Sequence, residues 1–555
     1  VGAALGSHFQ FCLRACSRGH QVHACVLVID NNLAEVVVDL LEPLGQRVVD
    51  LDRAGSRIGT VYAANTLGNV VGALLPGFVL LYWLGIQRGI LLMAVINVLL
   101  GLGFLGTRLG RRRYLRWAMP GAAAAALAVF VLLPIDFQFP SENETPRHEV
   151  LYYRDGPTAT TRVTVDPTRG AKEKAIDGIV IGGNTFTEYK QLLLAHLPKL
   201  LLDDVSSELS IGFGTGMLAG ESLRYARVDR LTCVEIEPSV IEAASHFADL
   251  NHRVLSNPRL RLVLDDASNY LRVTPDRYRV ISADEKTSLD YASNGFSYSA
   301  EYYHLLRERL APGGILLQWV PANLPPRQYA MVLKTFSTNF PHVMMAFFMP
   351  ALQESGYNTI LIGSNAEIVL DGGRIARVLA SESGEFAALA RYGLTSPAAV
   401  LAQFVAGGET LRQAVADAEL NTLAHPRYEF YSPRDYAAPL KQRVGANIDF
   451  VARLRREGAA ELRASMRLAD AEQAMRLEAA LVAEQAFLEG YRISLAPANA
   501  ADIFARYDAA LGGAPWNDSL RARIALHYED IAASQADPGV RDYLLRRARV
   551  ARGAN

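Results

Sequence analysis

The run SIGFGTGMLAG carries Gly212, Gly214 and Gly216 between an apolar segment and a helix-forming one. Glycines at that spacing suit a tight strand-to-helix turn in which a ligand lies against bare backbone, near the positive end of the helix. Nineteen residues after Gly216, Glu235 closes the apolar run CVEIE, where a carboxylate can accept hydrogen bonds from both hydroxyls of a ribose. Asp265 and Asp266 close RLRLVLDD, a place from which an adenine amino group can be recognised, and Asp284 closes YRVISAD. Ligands of open parallel sheets bind beyond the carboxyl ends of the strands, so Glu235, Asp266 and Asp284 are expected to converge on one crevice. The ligand this implies is S-adenosylmethionine or a close relative. A nicotinamide dinucleotide fits the glycines equally well but the later acids poorly.

Those residues need strands to end where they stand. ELSIGFG, RLTCVEIE, RLRLVLDD, YRVISAD, GGILLQWV, HVMMAFF and TILIGS alternate with helical segments over residues 205–365. The pattern predicts a doubly wound, seven-stranded, Rossmann-like α/β sheet of the methyltransferase type, parallel and covered on both faces. Before it, VLYYRDG, TTRVTVDPTRG and AIDGIVIGG are short alternating runs broken by Asp, Gly and Pro, which predict a small antiparallel β-domain. With the Pro-rich linker that precedes it, this domain occupies 135–204, and EYKQLLLAHLPKLLLDD reads as a helix that tolerates Pro198. Residues 366–555 are rich in Ala, Arg, Glu and Leu at helical spacing and predict a C-terminal region of paired amphipathic helices.

Residues 1–134 differ in kind. IGTVYAANTLGNVVGALLPGFVLLYWLGI (58–86) has no charge and exceeds the roughly 20 apolar residues that cross a bilayer as a helix. GILLMAVINVLLGLGFLG (89–106) is a second expected transmembrane helix and residues 118–134 a short third. Gly68 and Gly72, four apart, would let a neighbouring helix approach. Five arginines between Arg108 and Arg116 place that loop in the cytoplasm by the positive-inside rule. A third full span would then carry the α/β domain outward, so an interfacial 118–134 and a cytoplasmic α/β domain are preferred. The start at Val1 rather than Met suggests a fragment or a processed form.

The whole chain has 555 residues, enough for two or three domains, and a formal net charge of −1, which recruits no nucleic acid. Cys12, Cys16 and Cys25 lie beside His8, His20 and His23, yet match no zinc signature. No metal is expected.

The chain resembles the spermidine synthase group of polyamine aminopropyltransferases, in the bacterial form fused to an N-terminal domain of several membrane helices. YAANTLGNVVGALLPGFVL, YYRDGPTATTRV, HLPKLLL, IGFGTGMLAG, VEIEPSVIEAA, YSAEYYHLLRERLAPGGILLQW and LNTLAHPRYEFYSPR carry the likeness, which extends to about residue 434. It implies that Gly212, Gly214 and Gly216 pass under decarboxylated S-adenosylmethionine, that Glu235 holds the ribose and Asp266 the adenine, and that Asp284 accepts the proton. It also implies a small amine as acceptor and membrane lipid as surroundings, and such enzymes often form homo-oligomers. The chain departs from the family pattern at Thr215, where an aspartate is usual. It also departs at Ala159, at Lys190, Gln191 and Leu192, and at Glu285 to Ser288. Lys190 and Lys286 near the mouth would repel a diamine, with Glu188, Glu285 or Asp290 available to compensate. Two other readings stand beside aminopropyl transfer: a methyltransferase using intact S-adenosylmethionine, and a non-catalytic membrane protein with a sensory or vestigial nucleotide domain.

Overall fold

The computed structural model describes residues 51–109, 120–125 and most of 138–553, with gaps of which the longest are 285–293 and 350–356. The Cys/His cluster, Glu285, Lys286, Thr287, Ser288 and Asp290 lie outside the described residues, as does most of 118–134. The chain divides into two compact units, Val1–Ala123 and Ala124–Asn555.

In the first unit, helix Leu51–Leu75 runs into a π turn at Pro76–Leu80, followed by helix Leu81–Leu109. Proline removes one backbone donor from the ladder, which accounts for the turn at Pro76. Gly85 is non-helical at φ 71° and ψ 176°. The expected first span, 58–86, is thereby divided, and the expected break at 87–88 falls within a helix instead. Among the described residues one helix is long and apolar enough to cross a membrane, Trp83–Leu102.

The second unit opens with four antiparallel strands in the order β1 (Glu149–Asp155), β2 (Thr160–Asp166), β3 (Ala171–Ile176) and β4 (Ile179–Gly183). The expected small sheet is present. Asp177 and Gly178, at φ 49° and 86°, make the left-handed two-residue turn that suits the twist of a hairpin between β3 and β4. Helix Glu188–Leu201 follows, with Pro198 in its last turn.

The main sheet contains β5 (Ser207–Ile211), β6 (Arg230–Glu235), β7 (Leu260–Leu264), β8 (Tyr278–Ala283), β9 (Leu310–Pro321), β10 (His342–Phe348) and β11 (Asn358–Ser364). All seven expected strands are there. An eighth, β12 (Phe404–Gly407), joins from the region expected to be helical, and the order is β12-β10-β11-β9-β8-β5-β6-β7. The sheet is mixed rather than parallel throughout: β11 runs against both β9 and β10, and β12 against β10. A short connection, from Phe348 to Asn358, joins β10 to β11, and an antiparallel neighbour can be reached by so short a link whereas a parallel one needs a crossover.

Alternate residues of the strands enter two apolar clusters, one on each face. Ile281, Leu316, Met345 and Leu361 belong to one, and Val280, Leu317, Met344 and Ile360 to the other. The C-terminal helices complete these same cores. Ile448, Phe487 and Ile524 lie in the first cluster, and Val400, Leu462 and Leu477 in the second.

Candidate active site

The carboxyl ends of β8, β5, β6 and β7 are tied together in series. Asp284 donates its backbone N–H to Ile211 O at 3.3 Å, Gly212 donates to Val234 O at 2.9 Å, and Asp265 donates to Glu235 O at 3.1 Å. One row of backbone hydrogen bonds thus fixes Asp284, the glycine bend, Glu235 and Asp265 at one edge of the sheet. Glu235, Asp265 and Asp284 thus stand at the same end of neighbouring strands, with Asp266 one residue beyond Asp265.

The bend itself is left-handed at Gly212, Gly214 and Gly216, with φ of 85°, 53° and 80°. Their surroundings differ. A Cβ on Gly212 would press on the Asp284 carbonyl at 3.1 Å, and one on Gly216 on Phe213, Val254 and Asn251, whereas one on Gly214 would meet nothing within 4 Å. Gly214 is therefore the member of the three whose bare backbone opens onto space.

Glu235 is held rather than free. Its Oε2 accepts from Phe213 N at 2.9 Å, and its Oε1 from Ile236 N at 2.9 Å and Glu237 N at 3.0 Å. Burial pushes its carboxyl up, opposed by the Phe213 and Glu237 amides and by nearby Lys174. Oε1 already accepts two bonds and Oε2 one, so Oε2 can accept one further bond, which makes a ribose hydroxyl and this anchoring compatible. Asp265 Oδ1 accepts from Asp266 N at 2.8 Å and from the Asn269 amide at 3.0 Å. Asp266 caps helix Ala267–Val273, Oδ1 accepting from Asn269 N at 3.0 Å and from the Ser268 hydroxyl. That cap accounts for the Asp at this position independently of any ligand.

Asp284 Oδ1 accepts from Lys190 Nζ at 2.7 Å. Lys190 enters from helix Glu188–Leu201, and its ammonium lies 4.1 Å from the centroid of the Trp319 ring on β9. Trp319 is fixed in turn by Nε1 donating to Asn358 Oδ1 at 2.8 Å. At Thr215 the hydroxyl is fully buried and donates to Gln191 Oε1 at 2.8 Å.

Two residues of this edge escape sequence reading. Lys174, fully buried on β3, donates from Nζ to Gly214 O at 2.6 Å and to Val240 O at 2.7 Å, bracing the glycine bend from beneath. Burial pulls its ammonium down to about 7, against the pull of Glu235. Glu237 Oε2 accepts from Thr158 N and Oγ1 at 2.9 and 2.7 Å and from Ala159 N at 3.1 Å, clamping the β1–β2 turn onto the end of β6. Alternation in AKEKAI cannot tell which lysine faces inward. Glu237 precedes Pro238 at a helix start, a signal that identifies a cap but not its second set of partners.

The bend, the paired carboxylate and the strand-end acids all fall within one matched segment. Residues 187–371 match the spermine/spermidine synthase domain. Curated relatives include the polyamine aminopropyltransferase of Mycobacterium tuberculosis H37Rv, 30% identical over 292 residues, covering 50% of this chain and 55% of the relative. That of Corynebacterium efficiens is 31% identical over 316 residues, covering 52% of this chain and 57% of the relative. The chain thus spans a little over half the length of the curated relatives it matches, and those relatives are by name aminopropyltransferases, hence transferases. Similar solved structures are a spermidine synthase from Thermotoga maritima (21% identity, 39% of this chain, 73% of that one, TM-score 0.35) and a probable one from Corynebacterium glutamicum (18%, 49%, 96%, 0.37). Among the described residues no His, Cys, Asp and Glu cluster could hold a metal ion.

Proposed function

We propose that this chain is an aminopropyltransferase that takes decarboxylated S-adenosylmethionine as donor and a small amine as acceptor. The observation that carries the reading is the open, left-handed backbone at Gly214 beside buried Glu235, tied through the sheet edge to Asp284. The match of residues 187–371 to the spermine/spermidine synthase domain supports the same chemistry.

In the transfer, the acceptor nitrogen lone pair forms a bond to the aminopropyl carbon next to the sulfonium. The carbon–sulfur bond breaks, its electron pair stays on sulfur, and neutral methylthioadenosine leaves. The acceptor must arrive unprotonated, although a free alkylamine of lysine type has a pKa near 10.4. In this reading Asp284 orients the amine and takes the proton that the new secondary ammonium sheds. Holding nitrogen, carbon and sulfur in line supplies further acceleration. Helix Trp83–Leu102 would tether this unit to a membrane, with the catalytic unit in the cytoplasm where an adenosyl donor is made.

Methyl transfer from intact S-adenosylmethionine is the second reading, favoured by uncharged Thr215 bonded to Gln191. The 555-residue chain in detergent, given either donor and a panel of amines, separates the two. Release of methylthioadenosine from the decarboxylated donor supports aminopropyl transfer. A methylated product from the intact donor, with no methylthioadenosine from the other, would replace it.

A further inference from the structure

In the acceptor region the chain supplies its own cation. Resting on the aminopropyl-transfer reading above, we infer that Lys190 sets acceptor specificity, and that the preferred acceptor is a primary amine with an anionic or hydrogen-bond-accepting far end, of the amino-acid type, rather than a diamine.

Three observations carry this. First, the seat a substrate ammonium would take is filled. A carboxylate and the face of a tryptophan are the two groups that together best hold an ammonium. Here Asp284 and Trp319 both face Lys190 Nζ, at 2.7 Å and 4.1 Å, with 8% of the Lys190 side chain and 14% of the Asp284 side chain exposed. The Trp319–Asn358 bond keeps the ring in that position, so Lys190 is a seated group and not a solvated surface lysine.

Second, among the described residues, the acid on this helix is engaged elsewhere. Glu188, one turn from Gln191 and Leu192, accepts at Oε1 from Arg391 Nη2 and at Oε2 from the Tyr392 hydroxyl, both at 2.9 Å. A diamine reaching Asp284 would therefore meet Lys190 as a like charge in a cleft partly shut off from water, where repulsion is several times stronger than in bulk solvent.

Third, the neighbouring groups are donors. Because Thr215 donates to Gln191 Oε1, the Gln191 amide nitrogen is buried with no hydrogen-bond partner among the described residues. A buried donor left without a partner is costly, and an acceptor oxygen on a ligand would relieve it. An ammonium would not. Lys190 Nζ at Asp284, and Gln191 Nε2 separately beside the glycine bend, each favour a ligand that brings oxygen lone pairs or negative charge.

The test uses the 555-residue chain and its Lys190→Met and Lys190→Gln variants, with decarboxylated S-adenosylmethionine and three acceptors of equal carbon length: 1,4-diaminobutane, butylamine and 4-aminobutyrate. Methylthioadenosine release is followed as kcat and KM. The wild-type chain should rank 4-aminobutyrate above butylamine and butylamine above the diamine. Both variants should raise kcat/KM for the diamine about tenfold or more and lower it for 4-aminobutyrate by a similar factor, mostly through KM, as removal of one like charge from a largely buried site implies. A wild-type preference for the diamine, or variants that change all three acceptors by the same factor, would overturn the inference while leaving aminopropyl transfer intact. Absence of methylthioadenosine with every acceptor and every protein would remove the transfer reading, and this inference with it.

Discussion

Gly214 offers a prediction in which fold and ligand can be separated. At φ 53° an added Cβ meets nothing within 4 Å, so Gly214→Ala should cost little beyond the strain of a left-handed alanine, about 1–2 kcal/mol. Gly170 is a matched control. It lies in the turn between β2 and β3 at φ 66°, and there too a Cβ meets nothing within 4 Å. Gly170→Ala should therefore carry the same strain and lower the unfolding midpoint by the same amount. The two should part in ligand binding. If the adenosyl donor lies against the Gly214 backbone, a methyl there pushes it outward and loosens its contacts, weakening affinity by about tenfold or more, since each 1.4 kcal/mol is a factor of ten. Denaturant melts would give the stabilities, and titration calorimetry with methylthioadenosine the affinities. Equal affinity in Gly214→Ala and Gly170→Ala would refute the placement of the ligand, whatever the two do to stability.

Three further outcomes are expected. Asp284→Asn should keep donor binding within a factor of about three yet lower kcat by about 10²- to 10⁴-fold, the range for losing a general base; an unchanged kcat in single-turnover assays would remove Asp284 from the proton path. Lys174 titrates near 7 when folded, against about 10.4 unfolded, so between those values the unfolded chain holds more protons and stability rises with pH, being lost as pH falls toward 7. Lys174→Met should abolish that rise, and urea melts at about pH 7 and pH 9.5 that keep a constant gap between wild type and variant would contradict the assignment. In the C-terminal helices, Arg523 donates to Glu484 Oε2 at 2.8 Å and Gln403 donates to Glu484 Oε1 at 3.0 Å. Both ionic side chains are buried, so Arg523→Met should destabilise by about 3–5 kcal/mol by taking from Glu484 the cation bonded to it, and a loss under 1 kcal/mol in denaturant melts would show the pair to be dispensable.

The site was legible where local pattern and long-range rule coincide. Glycines after an apolar strand, and acids closing the next three, are readable because a doubly wound sheet brings successive strand ends to one edge. Sheet direction was less accessible: TILIGS and HVMMAFF are apolar runs that look the same whichever way they point, and β12 is four residues, FVAG, within a helical composition. Lys190 was recognisable from its position as a charge near the mouth. Its pairing with Asp284 was not, because that depends on helix Glu188–Leu201 crossing above β8 and β9, a contact 94 residues apart in the chain. Asp266 was read as a strand end, and its described hydrogen bonds instead cap the helix that follows. The membrane pattern erred in its divisions because Pro76 and Gly85 interrupt the first helical stretch, features that a count of apolar residues passes over.

The most direct test of the central claim is a structure of the 555-residue chain with methylthioadenosine bound. The adenosyl group should lie across Gly214, with its ribose hydroxyls on Glu235 and its sulfur toward Asp284. Density for the ligand at any other place, or a Gly214 edge left empty at saturating ligand, would contradict the account.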